Sequence, residues 1–352
     1  MSNPYDALGT SAFWRTAVAE KGPLGLEHLW APKFQVRPEH KIVTAGSCFA
    51  QHIGKALAER GYSWLDAEPA PPWVVGGDAK ALNYGIFSCR TGNIYTPRML
   101  LQWLRLAFEG GDTELWEAEG RWFDPLRPVI EPNGFANRDE LQSARQATLA
   151  SIRNAVSEAD VFIFTLGLTE AWRHSGTDFE YALCPGTVAG AEFDEAVHRF
   201  HNASFAQLRD DLEAAIALMR EKNSALKILL TVSPVPLVAS ASGAHVLAAT
   251  SHSKSLLRAV AGELAGAAEA IDYFPSYEII THPVFRGMFF APNMRAVVPE
   301  GVATVMKHFF EDQRRVFGEV VQSASGKPRK KGKARPEGDV MCEEELLNAF
   351  AK

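Results

Sequence analysis

Short apolar runs alternate with longer amphipathic stretches along most of this 352-residue chain. Four short runs are mostly apolar and end beside glycine, serine or proline, which predicts strands, and the second and third have the pattern of buried strands. The predicted strands are Ile42–Ala45, Asp160–Gly167, Leu226–Pro234 and Ala270–Phe274. Helical periodicity predicts helices from the first strand to about Arg60, from Pro97 to about Glu109, and over Asp139–Ala159, Ser204–Lys222, Ser251–Ala267 and Pro299–Val316. Strands that alternate with helices predict an α/β fold whose mostly parallel sheet is covered on both faces.

Ser47 stands at the junction between the first predicted strand and the helix that follows it. Backbone N–H groups are free in the first turn of a helix and can stabilise a developing oxyanion. Ligands of open α/β sheets also bind at the carboxyl ends of strands. Ser47 is therefore the first candidate nucleophile, and the alternative is that it only caps the helix.

The composition is that of an ordinary globular protein, with 47% hydrophobic and 22% charged residues. The length suits one large α/β domain or two smaller ones. The four cysteines lie far apart without a C-x-x-C pair, so we predict neither a zinc site nor a disulfide framework, and we expect no cofactor. The N-terminal residues lack a secretory pattern, and no apolar run approaches the roughly 20 residues that span a bilayer. These features predict a cytoplasmic protein without a transmembrane segment.

Positive charge is concentrated near the C-terminus, although the formal net charge is −6. Six of the 36 basic residues lie between Lys327 and Arg335, which leaves 30 against 42 acidic residues elsewhere, a net charge of −12. An acidic body argues against nucleic acid as a partner. Residues 323–352 are rich in Ser, Gly, Pro and Lys, which predicts a disordered basic tail, with a short helix over Met341–Phe350. We therefore divide the chain into an N-terminal extension that packs on the core (1–40), an α/β domain (41–322) and this tail.

Five ordered motifs carry a resemblance to a known family. They are Gly46–Ala50 (GSCFA), Gly92–Thr96 (GNIYT), Thr165–Trp172 (TLGLTEAW), Val232–Pro236 (VSPVP) and Asp272–Ile279 (DYFPSYEI). With these motifs the chain resembles the GSCFA-domain family, which looks like a branch of the SGNH hydrolases. The resemblance implies a flavodoxin-like three-layer α/β/α fold. It also implies an activity that cuts or transfers ester-linked acyl groups, often on carbohydrates.

The resemblance implies roles for individual residues. Ser47 falls on the nucleophile, with its own N–H as one oxyanion donor, and Gly92 and Asn93 fall where the second block supplies a glycine N–H. Thr169 stands where the third block usually has Asn, and Glu170 follows it. The Thr169 hydroxyl can still donate a hydrogen bond to an oxyanion. Glu170 either orders the oxyanion loop or is a structural carboxylate.

The chain departs from the related hydrolases just before its last helix. Those hydrolases carry Asp-x-x-His there, and counting back from Gly301 places Asn293 and Ala296 at the two positions. A serine hydroxyl without a neighbouring base is a weak nucleophile. We predict that His282 supplies the base and that Glu278 orients it. The alternatives are a base at His252 and a purely local role for His282.

The leading hypothesis is a serine-dependent esterase or O-acyltransferase that forms an acyl-serine and acts on a small molecule, a glycan or a glycan precursor. Hydrolase and transferase share the first half-reaction, so the sequence does not separate them. The second hypothesis is a protein that has lost catalysis and binds a glycan or acyl ligand in the same pocket. The third is a scaffold in polysaccharide assembly, with the basic tail as a tether or as a solvated linker.

Overall fold

A central parallel sheet organises the fold. The computed structural model describes residues 3–74, 76–319 and 342–351. In chain order the strands are β1 (Ile42–Gly46), β2 (Trp116–Ala118), β3 (Arg121–Phe123), β4 (Val161–Leu166), β5 (Glu170–His174), β6 (Glu180–Tyr181), β7 (His198–Asn202), β8 (Lys227–Val232) and β9 (Ile271–Tyr273). The central sheet has the spatial order β1-β4-β8-β9, with all neighbours parallel. These four strands coincide with the four predicted apolar runs, which confirms the α/β class.

Helices flank this sheet. Six of them lie close to where the periodicity predicts them, and two short ones, Gly77–Ala81 and Ser276–Thr281, were not predicted. The helices are α1 (Phe49–Glu59), α2 (Gly77–Ala81), α3 (Pro97–Phe108), α4 (Arg138–Glu158), α5 (Phe205–Lys222), α6 (Val246–Ala267), α7 (Ser276–Thr281) and α8 (Pro299–Phe317). The largest difference is at α6, which begins five residues before the predicted Ser251. His245 causes this earlier start, because its side chain accepts the N–H of Leu247 and so caps the helix.

Each face of the sheet buries its own core. Along β1 and β4, Val43, Phe162 and Phe164 pack into the core formed with α3, α4, α5 and α6. Their neighbours Ile42 and Val161 pack into a second core, formed with α1, α7 and α8. This alternation follows from the two-residue period of a strand and gives a three-layer α/β/α arrangement.

The order in which the chain adds strands to the sheet reverses between β1 and β4. After α1 it returns along the outer side of β1, where Trp64 bridges Ile42 in parallel, and it later crosses to form β4 on the other side. Such a point, where neighbouring connections leave in opposite directions, opens a crevice at the carboxyl ends of the strands. The crevice here lies between the ends of β1 and β4.

A second sheet of order β6-β5-β7 follows β4 directly and was not predicted from the sequence. Its strand β5 begins at Glu170, only three residues after the glycine that ends the apolar run. Its partner β7 lies more than twenty residues further on, so the pairing is tertiary and leaves little local signal. Outside this sheet, β2 and β3 form an antiparallel pair.

Both ends of the described chain pack on the body. In the N-terminal extension, Trp30 and Val36 are buried, and their N–H groups donate to the side chains of Asp312 and Gln313 on α8. The C-terminal residues form a 3₁₀ helix, Glu343–Phe350. Most of the predicted basic tail, residues 323–341, lies outside the described residues. Among the helices that are described, none is long and apolar enough to cross a membrane.

A buried ionic cluster ties the loop after β3 to α4. Asp124 is 1% exposed and accepts hydrogen bonds from Arg127 at 2.9 Å and from Nε of Arg145 at 3.1 Å. Arg127 is fully buried and also donates to Thr148 on α4 at 2.6 Å. Burial alone would raise the pKa of Asp124, but the two arginines outweigh it and hold the pKa below its usual value. The carboxylate therefore stays ionised between two buried cations.

We expect Asp124→Asn to lower the free energy of unfolding by about 3–5 kcal/mol, because removing one partner leaves two buried guanidinium groups uncompensated. Urea denaturation followed by circular dichroism measures this loss. Glu311→Gln, in the exposed pair with Lys307, is the matched control and should have a much smaller effect. Equal effects of the two substitutions would show that the Asp124 cluster does not stabilise the fold.

Candidate active site

Ser47 is held at the carboxyl end of β1 by a close approach to β4. Its N–H donates to Thr165 O at 3.0 Å. Gly46 makes the approach possible, because it has φ +129° and a Cβ there would lie 2.3 Å from Thr165 O. The Ser47 N–H is therefore engaged, so the expectation that it serves as an oxyanion donor is wrong for this arrangement.

The side chain of Ser47 is buried and has no hydrogen-bond partner among the described residues. The N-cap residue of α1 is Cys48, and no side chain accepts a hydrogen bond from the first turn of this helix. The alternative that Ser47 is only a helix cap is therefore wrong. A buried hydroxyl without a partner is costly, which makes this oxygen a candidate for chemistry.

Segment 93–95 crosses between the two strand ends and packs beside Ser47. The N–H of Ile94 donates to Gly46 O at 2.9 Å, and Tyr95 O accepts the N–H groups of Gly167 and Leu168. Gly167 lies directly against the nucleophile candidate, since a Cβ on it would be 3.1 Å from the Cβ of Ser47. The structure thus brings together the first three sequence motifs at one crevice.

Asn93 and Gly92 border this crevice, as the resemblance implies. Asn93 is 2% exposed. Gly92 has φ +70°, and a Cβ on it would lie 2.8 Å from a carboxylate oxygen of Glu343. Hydrogen bonds from the side chain and backbone of Asn93 lower the pKa of Glu343, but burial outweighs them and raises that pKa to about 7. A carboxylate thus stands where the oxyanion of an ester substrate is expected.

Thr169 and Glu170 are close to the crevice but already have partners. The Thr169 hydroxyl donates to Asn202 at 2.7 Å, and its N–H donates to Ser253 Oγ at 3.2 Å. Glu170 accepts the hydroxyl of Ser240 at 2.8 Å, and burial raises the pKa of its carboxyl. Glu170 therefore holds the loop after β8, and the Thr169 hydroxyl is turned toward β7.

Lys254 is a crevice residue that the sequence reasoning missed. It lies on α6, is 1% exposed and donates from Nζ to Gly167 O at 2.6 Å. Burial lowers the pKa of its ammonium group to about 8. The signal was present in the sequence, because Lys254 falls on the same helical face as Leu257, Ala261 and Leu264, which are all buried.

Arg295 also enters the crevice, from the turn where related hydrolases carry Asp-x-x-His. Asn293 Oδ1 accepts the N–H groups of Arg295 and Ala296, both at 3.0 Å, and so shapes this turn. Nε of Arg295 donates to Pro236 O at 3.2 Å. The turn therefore presents a guanidinium group where the base of the related enzymes would come from.

His282, the predicted base, and Glu278, its predicted partner, make their contacts with residues other than Ser47 and each other. Nδ1 of His282 accepts the N–H of Val284 at 3.3 Å, and its ring faces Trp14 of the N-terminal extension at 5.8 Å. Glu278 pairs with Arg258 and accepts the hydroxyl of Tyr273 at 2.8 Å, so its carboxylate is held by residues other than His282. The other candidate, His252, is exposed on α6.

A cavity of about 210 Å³ continues from the crevice toward the second sheet. Its lining is mostly apolar and aromatic and includes Glu170, Glu180 and Glu344, as is usual for sites that bind small molecules. The lining includes Asn93, Tyr95, Leu168, Trp172, Leu237 and Leu347. No group of three or more His, Cys, Asp or Glu side chains suited to a metal ion occurs within the part of the chain that the structure describes.

The family comparison agrees with the sequence motifs. The model described as the GSCFA family matches residues 41–309, which is most of the chain, and the chain therefore belongs to that family. The comparisons with curated proteins and with solved structures found no match.

We expect Ser47→Ala to leave the free energy of unfolding unchanged or to raise it slightly, because it removes a buried hydroxyl that has no partner. The matched control is Ser253→Ala, at another buried serine, whose oxygen accepts the N–H of Thr169. That change should cost about 1–3 kcal/mol by leaving the N–H unsatisfied. Urea denaturation of both variants measures the difference, and a larger loss for Ser47→Ala would mean that Ser47 has a structural role.

Proposed function

We propose that this member of the GSCFA family is a serine-dependent esterase or O-acyltransferase that forms an acyl-serine at Ser47. The observation that carries the proposal is the buried Ser47 hydroxyl, which has no partner among the described residues and lies at the crevice between β1 and β4. A structural serine in such a position would normally be hydrogen-bonded. A nucleophile has to keep its oxygen available for the substrate.

Lys254 supplies the base in this proposal. Its amine and Ser47 lie against the same residue, since Gly167 accepts a hydrogen bond from Lys254 and packs on the Cβ of Ser47. With a pKa of about 8, a useful fraction of the amine is neutral near pH 7. Buried lysines with lowered pKa values act as bases in other serine enzymes, where they replace histidine.

The reaction then proceeds in two steps. The oxygen of Ser47 attacks the ester carbonyl carbon, and the hydroxyl proton passes to the neutral amine of Lys254. The resulting ammonium group returns the proton to the departing alkoxide, which leaves an acyl-serine. In the second step water or an acceptor hydroxyl attacks this acyl group while Lys254 accepts its proton. The bond between the acyl carbon and the Ser47 oxygen then breaks, and Lys254 returns the proton to that oxygen. We assign stabilisation of the oxyanion to Asn93, whose side chain hydrogen-bonds the Glu343 carboxylate in this structure and would bond the oxyanion in its place.

A glycan, a glycan precursor or another small molecule is the substrate that we propose for this site. The cavity beside the crevice supports this class, because Trp172 and Tyr181 line it together with polar groups from Glu170 and Ser240. Aromatic rings with a few fixed polar groups suit a ligand that has both apolar and hydroxyl surfaces.

All four cysteines are free thiols, which favours a reducing compartment, and we place the reaction in the cytoplasm.

A binding function without catalysis is the second candidate. It is favoured by Asn293 and Ala296, which replace the acid and base of the related hydrolases. A binding protein would retain ligand affinity after Ser47→Ala, whereas an enzyme would lose its turnover.

Ser47→Ala should abolish turnover of an activated acetyl ester and labelling by a serine-directed phosphonate. Intact-mass spectrometry of the labelled protein measures the second effect, and peptide mapping assigns the label. Ser253→Ala is the matched control and should keep the label. Labelling of the Ser47→Ala variant at the wild-type rate would contradict the proposal.

The identity of the base is tested by the pH profile. If Lys254 is the base, activity should rise as pH passes through about 8, where the ammonium group loses its proton. Lys254→Met should reduce activity at least about 100-fold, and His282→Ala should leave it largely unchanged. The reverse result, with the loss in His282→Ala, would restore the prediction made from the sequence. Circular dichroism of both variants checks that they are folded.

A further inference from the structure

The C-terminal residues of the chain lie inside the crevice beside Ser47. Glu343 and Glu344 are only 5% and 6% exposed. Glu343 reaches Gly92 and Asn93, and the N–H of Glu344 donates to the hydroxyl of Tyr95 at 3.3 Å. Leu347, one turn further along, lines the adjoining cavity. The segment therefore occupies the space that a substrate of Ser47 would need.

The charges of the segment and of the crevice are complementary. Arg295 contacts Glu344 at 3.4 Å and Glu345 at 2.8 Å, and Glu344 also accepts the N–H of Val238 at 3.4 Å. The positive charge of Lys254 also favours the ionised form of Glu344. A buried lysine and a half-buried arginine require anions nearby, and this segment supplies them.

Cys342 fixes the start of the segment next to the nucleophile. Its sulfur lies 3.4 Å from Nη2 of Arg295 and is hydrogen-bonded to the thiol of Cys48, the residue after Ser47. The hydrogen bond from Cys48 and the charge of Arg295 lower the pKa of Cys342 to about 6, although burial opposes this. The segment thus adds the sulfur of Cys342 to the partners of Arg295 in the crevice.

We propose that the crevice beside Ser47 is a binding site for an acidic peptide and that residues 342–347 of this chain are its resident ligand, which excludes the substrate while it is docked. The peptide site stands on the contacts of the segment alone, and the exclusion of substrate rests on the proposed function. None of residues 342–347 belongs to either core of the sheet, so dissociation of the segment leaves both cores intact.

The test uses the full-length chain with Glu344→Lys, which places a positive charge between Arg295 and Lys254 and should expel the segment. Glu311→Lys, on the exposed side of α8, makes the same change of charge away from the crevice and is the matched control. The probe is a fluorescent synthetic peptide with the sequence of residues 342–351, and its binding is measured by fluorescence anisotropy. A peptide that carries lysine at the position of Glu344 tests specificity.

The peptide should bind the Glu344→Lys protein at least about tenfold more tightly than it binds the wild-type and control proteins, because their sites are already filled. Phosphonate labelling of Ser47 should accelerate by a similar factor in the Glu344→Lys protein. Equal peptide binding by all three proteins would overturn the proposal. If the peptide binds only the Glu344→Lys protein and Ser47 is never labelled, the peptide site stands and the proposed acyl transfer is wrong.

A second measurement tests the docked geometry directly. Oxidised glutathione should convert the Cys48 and Cys342 thiols of the wild-type protein into a disulfide, with release of two molecules of reduced glutathione. Peptide mapping detects this cross-link. It should form at least about tenfold more slowly in the Glu344→Lys protein, in which the two thiols are seldom adjacent. A wild-type protein that forms no such cross-link would contradict the docked arrangement.

Discussion

The close approach of β1 to β4 is the constraint on which the site depends. Gly46 brings its backbone so near to Thr165 that no side chain fits, and Ser47 is anchored there by its N–H. Because that N–H anchors the backbone of Ser47, it is not available to an oxyanion, and the mechanism that we propose assigns this role to Asn93. Segment 93–95 is in turn hydrogen-bonded to Gly46 and Gly167. A shift of the backbone at Gly46 would therefore move the residues that form the crevice.

Charge balance is the second constraint, and it links the crevice to the end of the chain. Lys254 is buried and the side chain of Arg295 is only 14% exposed, and an unpaired charge is costly in such positions. Glu344 lies beside both cations: Arg295 and Lys254 favour its ionised form, while its burial raises its pKa to about 7. The two cations and the buried carboxylate each depend on the other for charge compensation. Any ligand that replaces the segment therefore has to bring negative charge or leave Lys254 neutral. The same balance sets the protonation of the base that we propose.

The replacement of Asp-x-x-His by the turn at Asn293 changes the chemistry of the crevice. Asn293 keeps the turn by accepting two N–H groups, but the side chain that it presents is a guanidinium, which is always protonated and does not act as a base. In the mechanism that we propose, the proton acceptor therefore comes from another element, at Lys254 on α6, which donates to Gly167 O. His282 instead makes its contacts with Val284 and Trp14.

The sequence by itself determined the four central strands, most helix limits and the place of Ser47, because continuous apolar runs, helical periodicity and a Gly-Ser turn are local signals. Family motifs added Gly92, Asn93 and Gly167. Only the tertiary structure decided that Thr169 is turned away, that Lys254 and Arg295 enter the crevice and that Glu343 and Glu344 fill it. These residues come from segments that are far apart in the chain. Their proximity depends on how the helices pack on the sheet and on the pairing of the C-terminal carboxylates with Lys254 and Arg295. Neither produces a periodic pattern in the sequence.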